Sequence, residues 1–411
     1  MSRIKGAGVW LVKLSRCWIR RLYEGHSLQW EYEYNQLVFG SKVLHNVNYA
    51  ESKTRQKRAL VVYTVSPFLI DQQSNAFRAH TNRWRSVEIA KILDEFGYTV
   101  DVMDFDDHNS RVEDDYDLLL GFGRADDLAQ RFPQRTVKLL LGTGSEANFQ
   151  NQRERERVAE INRKRNCGLV PVRLTPYTCS QNLRYYDALV CLGSATTAAT
   201  FRPFFDGRIL LFNNHGYNKW MGLPEDKNFE ESRYNFLYFA GSGQVLNGLD
   251  LLLELFAKTP HLNLHVCGPF ETEPAFVACF RKELYETPNI YPVGWVNVGA
   301  PEYWAMVRRC GMVIVPICSG AGHGAVTVCM GNGLIPIITG EAGIDIGGLG
   351  VTLSSYGIDD IAAAIDWVSG QPAEWHAATS RQIVEMARRE FSQEAFSRRF
   401  REILDEVLAD K

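Results

Sequence analysis

The stretch NFLYFAGSGQVLNGLDLLLELFAKTPHLNLHVCG, residues 235–268, decides the fold. NFLYFA is a run of apolar and aromatic strand formers that ends in Gly241-Ser242-Gly243. GLDLLLELFAK (248–258) then carries apolar residues at helical spacing, and LNLHVCG (262–268) is a second strand-like run. Strand, glycine turn, helix and strand in this order form a βαβ unit, which requires a parallel sheet.

The same alternation continues in both directions. Toward the C-terminus come a helical stretch near 274–286, NIYPVG (289–294), a helix near 301–309, MVIVPI (312–317), the glycine-rich SGAGHG (319–324), a short helix in AVTVCMGNG, LIPIIT (334–339) and helices to the end. Toward the N-terminus lie ALVVYTV (59–65), a helix over 82–97, YTVDVMDF (98–105), YDLLLGF (116–122), TVKLLLG (136–142), a charged helix near 150–165, DALVCLG (187–193) and RILLF (208–212). The polar stretch 213–233, broken by Gly and Pro, reads as a linker. The expected architecture is α/β, two Rossmann-like domains facing one another across a cleft. Its expected parts are a basic N-terminal extension (1–57), a first domain (58–215), a linker (216–233), a second domain (234–374) and C-terminal helices (375–411) that cross back to the first domain.

Composition narrows the function. With 411 residues, 45% hydrophobic, 23% charged and a net charge of −3, the chain is neither disordered nor a nucleic-acid coat. Residues 1–60 nevertheless hold eleven Lys/Arg against four Asp/Glu, or +7, and the rest carries −10. A basic leader that places Trp10, Leu11, Leu14, Trp18 and Leu22 at near-helical spacing suits an anionic membrane surface. No run is long enough to span a bilayer, so a cytoplasmic protein that reaches the inner membrane face through this leader is expected. Nine cysteines without a CxxC pair, mostly inside apolar runs, read as buried free thiols.

The glycine loops exclude two nucleotide-binding classes. No glycine follows the strand 59–65 in SPFLIDQQSNAFRAH, and after Gly241-x-Gly243 the third glycine position of a dinucleotide fingerprint is Leu246. No G-x-x-x-x-G-K-[ST] occurs. Asp104-x-Asp106 and Asp115-x-Asp117 lie near strand ends and read as acidic turns rather than a metal site. What remains is phosphate chemistry. Gly241, Ser242 and Gly243 give backbone that a phosphate can approach closely, and Gly320, Ala321, Gly322, His323 and Gly324 lead into a helix whose first N–H groups suit a diphosphate.

Residues 239–269, NIYPVGWV (289–296) and 315–345 resemble the donor-binding domain of GT-B glycosyltransferases of the retaining family-4 type, over about 235–370. The first domain matches through HTNRWRSVEIAKILDEFGYTVDV (80–102) and TGSEANFQNQRERERV (143–158). The resemblance implies transfer of a sugar from a nucleotide-diphosphate donor to a glycan or lipid-linked acceptor in surface polysaccharide synthesis. It further implies retained anomeric configuration, no metal and no other cofactor. It assigns the diphosphate to Gly243, Asn247 and the 320–324 loop, and base and ribose to the surroundings of Gly294 and Val328. His80 and Glu146 become the acceptor-side catalytic candidates. The sequence also departs from the family at the donor site. Two glutamates eight positions apart are Gly320 and Val328 here, the usual lysine is Asn247, and the His of many relatives has Glu146 as its nearest counterpart. A charged hydrogen bond contributes about 1.5–3 kcal/mol, so these losses need substitutes, for which His323, Arg83, Arg85 and the Asn247 amide are candidates. A GT-B-fold protein with weakened transfer, acting as a binding or assembly partner, stays open beside the enzyme, as does a nucleotide-sugar epimerase on the same fold.

Overall fold

A computed structural model describes residues 28–48, 57–78, 80–176 and 180–409. The leader helix expected around residues 10–22 lies outside them. The described residues divide into two compact units: those up to 141 with 180–190 and 400–409, and those of 142–176 with 191–399.

Helix α1 (Leu28–Phe39) leads to the short strand β1 (Val43–Leu44), which pairs antiparallel with β3 (Tyr98–Asp104). Residues 28–48 are therefore a folded part of the first unit rather than leader. β2 (Lys57–Tyr63) runs parallel to β3 and to β4 (Leu118–Gly121), and β4 runs parallel to β5 (Val137–Gly142). β6 (Ala188–Leu192) and β7 (Arg208–Phe212) complete the sheet order β1-β3-β2-β4-β5-β6-β7. Leu60, Val61 and Val62 are fully buried, as strands covered on both faces require. Asp104 and Asp117 spend their carboxylates on the N–H groups of Val65 and Arg58, and Asp106 pairs with Lys42 at 2.8 Å.

The second sheet contains β8 (Asn235–Phe239), β9 (Asn263–Cys267), β10 (Ile290–Gly294), β11 (Met312–Val315), β12 (Ile335–Thr339) and β13 (Val351–Leu353), in the order β10-β9-β8-β11-β12-β13 with parallel neighbours. Chain order reverses between β8 and β11, so the loops that leave these two strands diverge and open a crevice at their carboxyl ends.

The helices that matter for the site are α2 (Thr81–Glu95), α3 (Ala147–Arg165), α4 (Leu249–Phe256), α5 (Gly324–Gly331), α6 (Ala373–Glu390) and α7 (Gln393–Leu408). The end of α7 belongs to the first unit, where Arg401 pairs with Glu95 at 2.7 Å. None of the described helices is long and apolar enough to cross a membrane.

Three features differ from the sequence reading. Residues 142–176, expected in the first domain, belong to the second unit because Val158, Ile161 and Leu169 pack into its core while Arg157 bonds the buried Asp250 of α4, and Arg165 reaches Glu254 at 3.1 Å and Glu283 at 2.7 Å. Segment 213–233 is packed rather than a free linker: His215 is fully buried, and buried Lys227 donates to the carbonyls of Val307 and Cys310 at 2.7 Å. The cysteines are not all free thiols. Cys167 and Cys279 form a disulfide, whereas Cys191, Cys267, Cys310, Cys318 and Cys329 are free and buried.

Candidate functional site

Two glycine-rich loops leave the crevice strands of the second sheet. The first follows β8. Gly243 sits at φ +89°, a left-handed conformation that any residue with a Cβ resists. Its N–H donates to Glu273 Oε1 at 2.6 Å, while the Gln244 N–H and side-chain Nε2 reach the same carboxylate at 3.2–3.3 Å. Tyr238 fixes Gln244 in turn, its hydroxyl donating to Oε1 at 3.0 Å. This turn, expected to present its amides to a ligand, already holds an anion of its own. Asn247 closes it from beneath, donating to the carbonyls of Ser242 at 3.1 Å and Gly243 at 2.9 Å.

The second loop follows β11 and enters α5. Ser145 Oγ donates to the Gly320 carbonyl at 2.8 Å, and Asn214 Nδ2 to that of Gly322 at 2.7 Å. Gly322 lies at φ +46°, and a Cβ there would stand 3.1 Å from Leu192 Cγ. Ser319 is fully buried, and its hydroxyl has no partner among the described residues. His323 caps α5, its Nδ1 accepting from the Val326 N–H at 3.4 Å. Nε2 therefore carries the proton and donates to Asn247 Oδ1 at 3.3 Å, which ties this loop to the first. Burial, then the charge of Arg173, holds the imidazole down to about 4, so it is neutral at pH 7. The amides of Gly324 and Ala325 have no acceptor among the described residues, as expected of the first helical positions. They are open donors at the start of the helix.

Loop 166–176 comes to this region from α3. Buried Glu154 accepts the backbone N–H groups of Val172 and Arg173, each at 2.8 Å, and Gln150 Nε2 donates to the Arg173 carbonyl at 2.7 Å. Asn151 binds both backbone groups of Thr175, and Asn162 those of Leu169. The exposed Arg173 guanidinium donates to Ser242 Oγ at 3.3 Å. The stem of this arginine passes so close to Gly243 that a Cβ there would lie 2.3 Å from Arg173 Cγ.

Gly241, Ser242, Gly243, Asn247, Gly320, Ala321, Gly322, His323 and Gly324 are thus brought together. The remaining expected residues hold these positions. Gly294 ends β10, and its carbonyl accepts from Gly268 at 2.9 Å. Val328 is buried one turn into α5. Glu146 is fully buried as the cap of α3, accepting from the Phe149 N–H at 3.0 Å, and its own N–H goes to Thr200 Oγ1. His80 caps α2 in the first unit, with Nδ1 accepting from the Asn82 N–H at 3.1 Å. Arg85, also on α2, is buried beside the Tyr63 ring. Sequence reasoning missed Arg173 and Glu273, which stand 69 and 30 positions from the groups they touch. Among the described residues, no three His, Cys, Asp or Glu side chains cluster as metal ligands.

No family model matches the chain, and no curated protein sequence matches it significantly. Solved structures do. Anabaena HepE in complex with UDP and glucose aligns at TM-score 0.54 and 12% identity, over 85% of this chain and 100% of that one. Trehalose-6-phosphate synthase from E. coli, bound with UDP-2-fluoro glucose, aligns at TM-score 0.54 and 9% identity, over 86% and 99%. S. aureus TarM in complex with UDP aligns at TM-score 0.48 and 11% identity over 69% of this chain, which spans about half (54%) of the TarM chain. At these identities the first two likenesses establish the fold, two parallel-sheet domains of the GT-B kind.

Proposed function

We propose that this protein transfers a sugar from a nucleoside-diphosphate donor to a glycan or lipid-linked acceptor, with retained configuration and without a metal ion. The observation that carries the reading is the meeting of both glycine loops at the crevice of the second sheet, through Asn247 and His323, beside two open amides at the start of α5. In this reading the Gly324 and Ala325 N–H groups and the helix dipole take the donor diphosphate. They stabilise the charge that grows on it as the glycosidic bond breaks. Neutral His323 fixes the helix start and offers only a donor at Nε2. Base and ribose lie toward Gly294 and Val328, and His80 and Glu146 remain the acceptor-side candidates. The acceptor belongs to surface polysaccharide synthesis at the cytoplasmic membrane face, reached through the basic leader. UDP and UDP-glucose in the HepE complexes support the donor class.

One observation favours the second reading, a GT-B protein that binds or assembles without transferring. The Glu273 carboxylate fills the turn that a donor phosphate would approach. Thermal unfolding against UDP, GDP, ADP, CMP and dTDP separates the two. A ligand at 100 times its Kd adds about 2.7 kcal/mol of stability, a visible rise in Tm. A shift with one nucleotide, followed by release of that nucleotide from its sugar conjugate when acceptor is added, supports transfer. No shift with any of the five sinks the donor site and moves the second reading ahead.

A further inference from the structure

The sequence leaves a charge problem at the donor site, because the position of the family's lysine is Asn247 and the first glycine turn carries no basic side chain of its own. We infer that Arg173 supplies the missing cation: its guanidinium, delivered from loop 166–176 onto Ser242, is a donor-binding group for the diphosphate. This rests on the proposed function and adds to it a residue outside both glycine loops.

Three features converge on Arg173. The backbone around it is held by Gln150, Asn151, Glu154 and Asn162 of α3, which together satisfy both backbone groups of Leu169 and Thr175, both of Arg173 and the N–H of Val172. That much side-chain anchoring of a surface loop fixes where an exposed residue points. Within that anchoring both Glu154 oxygens take the Arg173 amide, and the guanidinium donates to Ser242. The disulfide Cys167–Cys279 fastens the start of the loop to the same unit. Finally, the charge of Arg173 reaches His323 at the start of α5, where it helps keep the ring neutral. The guanidinium thus acts on both glycine loops at once, and its planar fork suits two phosphate oxygens.

Calorimetric titration of the full chain with UDP, GDP, ADP and the corresponding free nucleosides tests this. With the diphosphate that binds the wild type, Arg173→Gln should weaken affinity about tenfold or more, while affinity for the nucleoside changes less than about twofold. Arg173→Lys should recover part of the loss, and the wild type should lose affinity with added NaCl more steeply than Arg173→Gln. The substitution keeps the backbone anchors, and an unchanged Tm verifies the fold. Equal diphosphate affinity in wild type and Arg173→Gln overturns the inference and leaves the proposed function standing. A wild type that binds none of these three, nor dTDP or CMP, overturns both.

Discussion

The two glycine loops read alike in sequence and differ in what they leave open. The N–H groups of Gly243 and Gln244 point at Glu273, whereas the loop 319–324 spends the Gly320 and Gly322 carbonyls on Ser145 and Asn214 and leaves the first amides of α5 without acceptors. Glycine content marks where backbone can approach a ligand. Whether that backbone is available depends on which distant side chain folds over it. In the proposed reading the second loop supplies backbone N–H groups to the diphosphate, and the first carries Arg173 against Ser242.

The strongest blow to this contrast is Gly322→Val. At φ +46°, with Leu192 and Asn214 within 3.3 Å of the new Cβ, the loop must move, at an expected cost of about 3 kcal/mol seen in urea unfolding. A stability within about 0.5 kcal/mol of wild type would show the loop to be pliable. A cleaner cut is Gly324→Pro. Proline is tolerated at the first helical position, and His323 already has the extended ψ (101°) that a following proline favours. Tm should hold while diphosphate affinity drops about tenfold for one charged hydrogen bond lost. Unchanged affinity would remove the Gly324 amide from the site. Glu273→Gln sharpens the other side of the comparison. Without its charge the turn repels a diphosphate less, and affinity should rise a few-fold; no change would place the phosphate out of reach of this turn.

The smallest effect is set by pH. The folded pKa of His323, about 4, lies below the ordinary value near 6.5, so the unfolded chain takes up the proton first. The stabilising contribution is complete above about 6.5 and is lost as pH falls toward 4. His323→Asn keeps a capping side chain without titrating, so its Tm should fall less than that of the wild type between pH 7 and pH 5. Parallel falls would mean that His323 does not titrate with folding.

Much of the architecture was legible. Most parallel strands announced themselves as short apolar runs, because burial on both faces leaves no polar alternation, and both glycine loops follow such runs, whereas the edge strand β13 was missed. The attachment of α3 was not. Its buried face carries Gln150, Glu154 and Arg157, which a periodicity argument assigns to solvent. Glu146 and His80, the acceptor-side candidates, each also precede a helix and cap it, a structural role written in their positions. Arg173 and Glu273 left no local signal, since only the folded chain brings them to the first glycine turn.

The Cys167–Cys279 bond also changes the topology of the unfolded chain. Closing a loop across 112 positions turns it into a covalent ring with two tails, and in the chain-entropy account a ring of this size removes about 4–5 kcal/mol of disorder from the denatured state. A protease that cuts once anywhere inside the ring releases no fragment until a reductant opens it. On a denaturing gel the nicked protein therefore runs as one species without thiol and as two with it.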